Sequence, residues 1–150
     1  IFNRSHYEDI IAVRVKKIFP DPVWKRRYKH VLDFESMLAE EGTVIIKLFL
    51  NISKEEQKKR LESRLQDPDK LWKFCMDDLD DRNRWDEFQT AYQDLIEKTS
   101  TPEAPWYIIP ADRKWYRNLV VARLMVEKLR HLQLSLPTPN FDPASIIIPD

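Results

Sequence analysis

The chain has 150 residues, 43% of them hydrophobic and including five Trp, five Tyr and seven Phe, enough for the core of one domain or of a large piece of one. Its 25 basic and 25 acidic side chains cancel, so no global field draws it to nucleic acid or membrane, and any anion site has to be a local cluster. Cys75 is the single cysteine, which excludes an internal disulfide and a cysteine-rich zinc site and makes a reducing cytoplasmic setting the default.

The chain opens Ile1-Phe2-Asn3-Arg4, with neither an initiator Met nor the charged region and apolar core of a signal peptide. It is expected to continue a fold already begun, with Ile1 to Asn3 as the tail of a strand. Ser5-x-x-Glu8 fits a capping box at a helix start. Asp21-Pro22 supplies an N-cap and first-turn proline for a second helix, with Trp24, Tyr28, Val31 and Leu38 on its apolar stripe and Gly42 at its far end. Thr43 to Ile52 is almost continuously apolar or β-branched, the pattern of a strand in a parallel sheet covered on both faces. Ser53-x-x-Glu56 is a second capping box. Trp85, Phe88, Tyr92 and Leu95 recur at helical spacing, and Trp106 to Ile109 reads as another buried strand. A last helix is predicted over about 112–132 with Leu119, Ala122, Val126 and Leu129 facing inward. Residues 137–150 contain four prolines and read as an extended arm. No apolar run approaches the ~20 residues of a membrane helix. This alternation predicts an α/β layered fold with parallel strands. A lone glycine and so few strands suggest one side of a larger domain.

Three clusters carry candidate chemistry. Arg4, at a strand exit just before a helix start, suits an anion, because ligands of open α/β sheets bind beyond strand carboxyl ends and guanidinium grips phosphate oxygens as a fork. Arg60 and Arg64 share a helix face, and Lys70 and Lys73 follow the Asp67-Pro68 break, so the four cations suit a lid closing over phosphates. Asp112 is a candidate cap for the last helix, with Arg113 and Lys114 at the carboxyl edge of the sheet. The residues alone leave the alternative open in each case: Arg4 as a surface charge, the lid cations as solvated i,i+4 partners, and Arg113 and Lys114 as first-turn charges. Asp77, Asp78, Asp80 and Asp81 match no calcium loop and read mostly as solvated helix. His6, His30 and His131 lack zinc spacing, and Cys75 reads as a packing residue.

FNRSHYEDI resembles the Walker B region of the polyphosphate kinase type 2 family, in the version with Asn-Arg-Ser-His-Tyr-Glu rather than Asp-Arg-Ser-Trp-Tyr-Asn. GTVIIKLFLNISKEEQKKRL is similar to its central strand and the helix leading to the lid, RLQDPDKLWKF to the lid, and TSTPEAPWYIIPADRKWYRN to the next strand and helix. The resemblance implies the C-terminal part of a P-loop kinase three-layer α/β/α fold over residues 1–136, with a lid at about 60–84 and an arm over 137–150. It implies phosphoryl transfer between inorganic polyphosphate and AMP, ADP or ATP with Mg2+, in a cytoplasmic homo-oligomer without nucleic-acid or membrane partners. Arg4, Glu8, Arg64 and Lys73 would be catalytic; Arg60, Lys70, Asp78, Arg113 and Lys114 would bind substrate phosphates or nucleotide. Glu8 stands where the other version has Asn, a change associated with acceptance of nucleoside monophosphates. Asn3 replaces the Walker B Asp, leaving the metal ligand unassigned, and Cys75-Met76 replaces a common Ser-Pro pair of the lid. The 150 residues hold no G-x-x-x-x-G-K loop, whose N–H groups and lysine cradle phosphates. The chain alone is therefore expected to be inactive. Two other classes stay open, a non-catalytic phosphate-binding or oligomerising remnant and an ATP-dependent P-loop nucleotide kinase.

Overall fold

A computed structural model describes residues 1–2 and 5–149. Among these, the helices are α1 (Glu8–Val15), α2 (Asp21–Glu40), α3 (Lys54–Gln66), α4 (Asp77–Asn83), α5 (Trp85–Thr99) and α6 (Lys114–His131), and the strands are β1 (Lys47–Asn51) and β2 (Trp106–Pro110). Short 3-10 turns span Pro68–Lys73 and Pro143–Ser145.

The two strands pair in parallel, Lys47 opposite Trp106 and Asn51 opposite Pro110. This is the arrangement that the long helical connection between them requires. The predicted strand over Thr43 to Ile52 shrinks to Lys47–Asn51, because Pro105, just before β2, has no N–H with which to extend the ladder. Ile1 and Phe2 are exposed and form no strand, against the expected strand tail; Asn3 lies outside the described residues.

Burial follows the helical stripes. Ile10, Ile11, Val13 and Val15 of α1, Trp24, Tyr28 and Val31 of α2, and Ala91 and Leu95 of α5 form one core with Tyr7. Burying an Ile, Leu or Val side chain fully contributes about 1.5–3 kcal/mol. The Tyr7 and Trp106 rings meet at 4.9 Å on this side of the sheet, while Lys128 of α6 stands 5.6 Å from the Tyr107 ring on the other. Helices thus lie on both faces. Leu50 and Ile108 nevertheless remain exposed, so the apolar runs are less covered than predicted.

The N-cap of α2 is Pro20 rather than the expected Asp21, which is the first residue of the helix with Pro22 after it; the other expected helix ends form with two exceptions. Gly42 has φ +83°, and the N–H groups of Gly42 and Thr43 close onto the Ala39 and Leu38 carbonyls, a paired glycine stop for α2. Ser53 caps α3 by accepting from the Glu56 N–H at 3.1 Å. The first exception is Ser5, which does not cap α1. Tyr7 occupies the N-cap with helical φ, because its ring is drawn into the core, and Ser5 Oγ accepts instead from the Tyr7 N–H. The second is Asp112, which leaves α6 without a side-chain cap.

α6 departs most from expectation. Leu119, Ala122, Val126 and Leu129 are exposed rather than buried, since α6 meets the described residues chiefly along β2 and nothing covers its other side. Residues 137–149 are exposed and, apart from the Pro143–Ser145 turn, irregular. Cys75 is exposed, so it is not the packing residue expected.

Candidate functional site

The carboxyl ends of both strands are stapled together. The Ala111 N–H donates to the Asn51 carbonyl at 2.8 Å, and the Ser53 N–H donates to Asp112 Oδ1 at 2.7 Å. That amide holds the Asp112 carboxyl below the usual carboxylate range, helped by the Ser53 side chain and by the charges of Arg60 and Lys59. Asp112 is therefore absent from the α6 cap because it serves the start of α3. Arg60 reaches from α3 to the Ala111 carbonyl at 2.7 Å and the Asp112 carbonyl at 3.2 Å, while its Nε donates to Glu56 at 2.8 Å. Its guanidinium is thus a clasp between the two crossovers. Beyond this clasp opens a cleft of about 660 Å³ lined by Asn51, Ser53, Lys54, Trp85, Arg113 and Tyr116. Arg113 faces that space from the turn before α6, and Lys114 begins the helix beside it, exposed.

The remaining cations belong to the segment after α3. Asp67 accepts from the Asp69 N–H at 3.1 Å and also binds Lys70 Nζ, which holds its carboxyl below the usual range. Trp72 is 78% exposed; its indole N–H donates to the Asp69 carbonyl at 3.0 Å, and Lys73 Nζ lies 5.0 Å from its ring. Arg64 meets Asp78 at 3.3 Å, joining α3 to α4 across this turn. The far end of α4 is anchored more firmly. Arg82 donates to the Lys54 carbonyl at 2.7 Å and to Gln57 at 2.9 Å, Asp81 pairs with Lys16 at 2.8 Å, and Arg84 donates to the Val15 carbonyl at 2.9 Å. The segment is tied to the other described residues at Arg60 and at residues 81–84, and bridged between them by the part-buried Arg64–Asp78 pair.

Glu8 begins α1 and is exposed; with Asp81 its charge adds to burial in raising the Tyr92 hydroxyl above the usual tyrosine value. Arg4 lies outside the described residues. The structure therefore brings Arg64 to Asp78, sets Lys70 and Lys73 on one turn, and places Arg60 and Arg113 at the crossover. Among the described residues no three His, Cys, Asp or Glu side chains stand close enough to hold a metal ion.

One polar cluster escaped the sequence reading. Glu35 and Lys47, 4% and 6% exposed, meet at 2.7 Å, and Tyr7 donates to Glu35 at 2.6 Å. Lys47 Nζ also donates to Tyr7 Oη at 3.1 Å and to the Thr99 carbonyl at 2.6 Å. Two signals pointed there: a lysine inside an apolar strand, and Glu35 in step with Tyr28 and Val31 on the buried stripe of α2.

Residues 1–136 match the family described as Polyphosphate kinase 2. The chain belongs to the polyphosphate kinase 2 family. It is 53% identical over 148 residues to the AMP/ADP-polyphosphate phosphotransferase of Meiothermus ruber, covering 99% of this chain and 55% of that one. It is 37% identical over 149 residues to the ADP-polyphosphate phosphotransferase of Rhodopseudomonas palustris, covering 91% and 52%. Its fold superposes on the crystal structure of Polyphosphate Kinase 2 from Arthrobacter aurescens TC1 with a TM-score of 0.90 at 48% identity, over 96% of this chain and 51% of the other. This polyphosphate kinase 2 chain spans about half the length of these relatives. The α/β fold with a parallel sheet agrees with the expectation from sequence.

Proposed function

We propose that the protein carrying this chain transfers phosphoryl groups between inorganic polyphosphate and AMP or ADP, with ATP as product or reverse donor. The observation that carries the proposal is that Arg64, Lys70 and Lys73 follow one another along α3 and the turn after it, with Arg113 in the cleft at the carboxyl edge, in a chain of this family. Phosphoryl transfer asks little covalent chemistry of a protein; it asks for alignment and for positive charge around the moving group. In this reading Arg4 grips phosphate at the start of the chain, Glu8 favours the monophosphate acceptor, and Arg64, Lys70 and Lys73 close on the phosphates, releasing Asp78 and Asp67 as they do so. Arg60 contributes charge from its clasped position, and Arg113 with Lys114 serves the nucleotide end.

Mg2+ belongs to the proposal as an ion carried by the substrate phosphates. The described residues offer no three-donor cage, and Asp78 and Asp81 already face Arg64 and Lys16. The described residues therefore do not fit a resident metal. A cytoplasmic setting, self-association and the absence of nucleic-acid partners complete the reading; the balance of 25 basic and 25 acidic residues supports the last of these. Among the described residues no helix is long and apolar enough to cross a membrane.

The test is ATP formation from AMP or ADP with polyphosphate, comparing the protein made from its complete reading frame with the 150-residue chain. Transfer by the first and none by the second is expected, since these residues hold no glycine-rich phosphate loop. Transfer from ATP but not from polyphosphate would reassign the protein as an ATP-dependent nucleotide kinase. No transfer from either donor would leave a phosphate-binding remnant.

A further inference from the structure

We infer that the buried Glu35–Lys47 pair is a positioning device for phosphoryl transfer, acting through Tyr7 on the turn between Arg4 and Glu8; this rests on the function proposed above. The cluster draws on five parts of the chain. Tyr7 precedes α1, Glu35 lies on α2, Lys47 begins β1, Thr99 ends α5 and Trp106 begins β2. Glu35 Oε1 accepts from Tyr7 Oη at 2.6 Å and lies 3.4 Å from His6 Nε2, while Oε2 takes Lys47 at 2.7 Å. Lys47 completes its three donations with the Tyr7 hydroxyl and the Thr99 carbonyl. The Thr99 hydroxyl in turn donates to the Leu95 carbonyl at 2.7 Å and accepts from the Trp106 indole at 2.9 Å.

Stability alone does not call for such a cluster. Well-packed apolar side chains in place of a buried ion pair are commonly as stable or more so. A fully satisfied polar network supplies direction instead: each hydrogen bond admits one arrangement of its neighbours, which an apolar contact does not. The group so directed is Tyr7, whose backbone forms the N-cap of α1. Glu8 follows it directly and Arg4 lies three residues before it, so the residues proposed for acceptor choice and phosphate binding flank in sequence the tyrosine that the network holds. Phosphoryl transfer is sensitive to that placement, because an ångström of misalignment can cost about a hundredfold in rate.

The experiment uses the protein made from its complete reading frame. Tyr7→Phe keeps the ring in the core and removes only the hydroxyl; Glu35→Asp keeps the charge but falls one methylene short. Both are measured for kcat and KM with polyphosphate and for melting temperature, beside Val31→Ala, a core substitution outside the cluster. The expected result is a fall in kcat of about tenfold or more in Tyr7→Phe and a smaller fall in Glu35→Asp, with Val31→Ala melting lower yet turning over at the wild-type rate. Replacing the pair by Glu35→Leu with Lys47→Met is expected to lower kcat as Tyr7→Phe does, and adding Tyr7→Phe to it to change nothing further, since the three act as a unit. Wild-type kcat and KM in both Tyr7→Phe and Glu35→Asp, with only melting affected, would show the cluster to be purely structural and overturn the inference. A wild-type protein that moves no phosphate from polyphosphate would overturn the proposed function itself, a result distinct from the first.

Discussion

At the scale of single residues, the buried ion pair is the most demanding feature. Glu35→Ala leaves the Lys47 ammonium buried without its counter-charge, and removing one partner of a buried pair costs about 3–5 kcal/mol. Denaturant unfolding should register that loss, and a change under 1 kcal/mol would mean that water or another carboxylate reaches Lys47. The cluster also gives the protein an alkaline limit. Burial, with the Glu35 carboxylate beside it, raises the Tyr7 hydroxyl far above its usual value, so the folded state keeps a proton that the unfolded state loses above about pH 10. The corresponding stability is fully present below pH ~10 and is lost as pH rises beyond it. Lys47 works in the opposite sense, because burial lowers its ammonium and the unfolded state then holds the extra proton. Stability measured from pH 9 to 11 should therefore fall more steeply in the wild type than in Tyr7→Phe; parallel curves would rule out this origin. Glu35 and Lys47 were each visible in the sequence as a charge on an apolar stripe. Their meeting was not, since helical and strand periodicities describe each element separately.

At the scale of elements, local chemistry explains the end of α2 at Gly42 and the start of α3 at Ser53. Gly42→Ala places a side chain at φ +83° with no atom within 4 Å of the new Cβ, so only backbone strain opposes it. A loss of about 1–2 kcal/mol in a thermal or denaturant melt is expected, and an unchanged melt would mean that α2 ends differently. The segment after α3 makes a different demand. Lys73 lies against an exposed Trp72 and forms no ion pair among the described residues, so Lys73→Ala should leave melting within about 0.5 kcal/mol of wild type. Transfer from polyphosphate by the protein from the complete reading frame should nonetheless drop by about a hundredfold, and Arg4→Ala should do the same. Near-normal rates in both variants would remove these residues from the site. The capping box at Ser53 was legible from four residues of sequence, and the structure reproduces half of it. The Ser53 N–H, which Glu56 would take in the full motif, goes to Asp112, 59 residues away, while Glu56 turns to Arg60. Spacing within a helix cannot reveal that exchange.

At the scale of the molecule, the described residues form a two-stranded sheet with a core on one side and a single helix on the other. Leu119, Val126 and Leu129 of α6 and Leu134, Leu136 and Ile146 to Ile148 beyond it are exposed, more apolar surface than an isolated soluble chain usually presents. The 150-residue chain should therefore associate as its concentration rises, and a constant monomer mass by light scattering across the micromolar range would refute this. The sequence by itself determined the order of helices and strands, the parallel pairing implied by long crossovers, the stop at Gly42, and the motif strings that mark the family. These depend on residues within one or two turns of each other, or on stretches long enough to be specific. Only the tertiary structure decided that Lys47 is buried against Glu35 and Tyr7, 12 and 40 residues distant, that Asp112 serves α3 rather than α6, and that the apolar side of α6 is uncovered. Each of these outcomes depends on which surfaces meet when the elements pack, and the period of a single helix or strand carries no record of its partner.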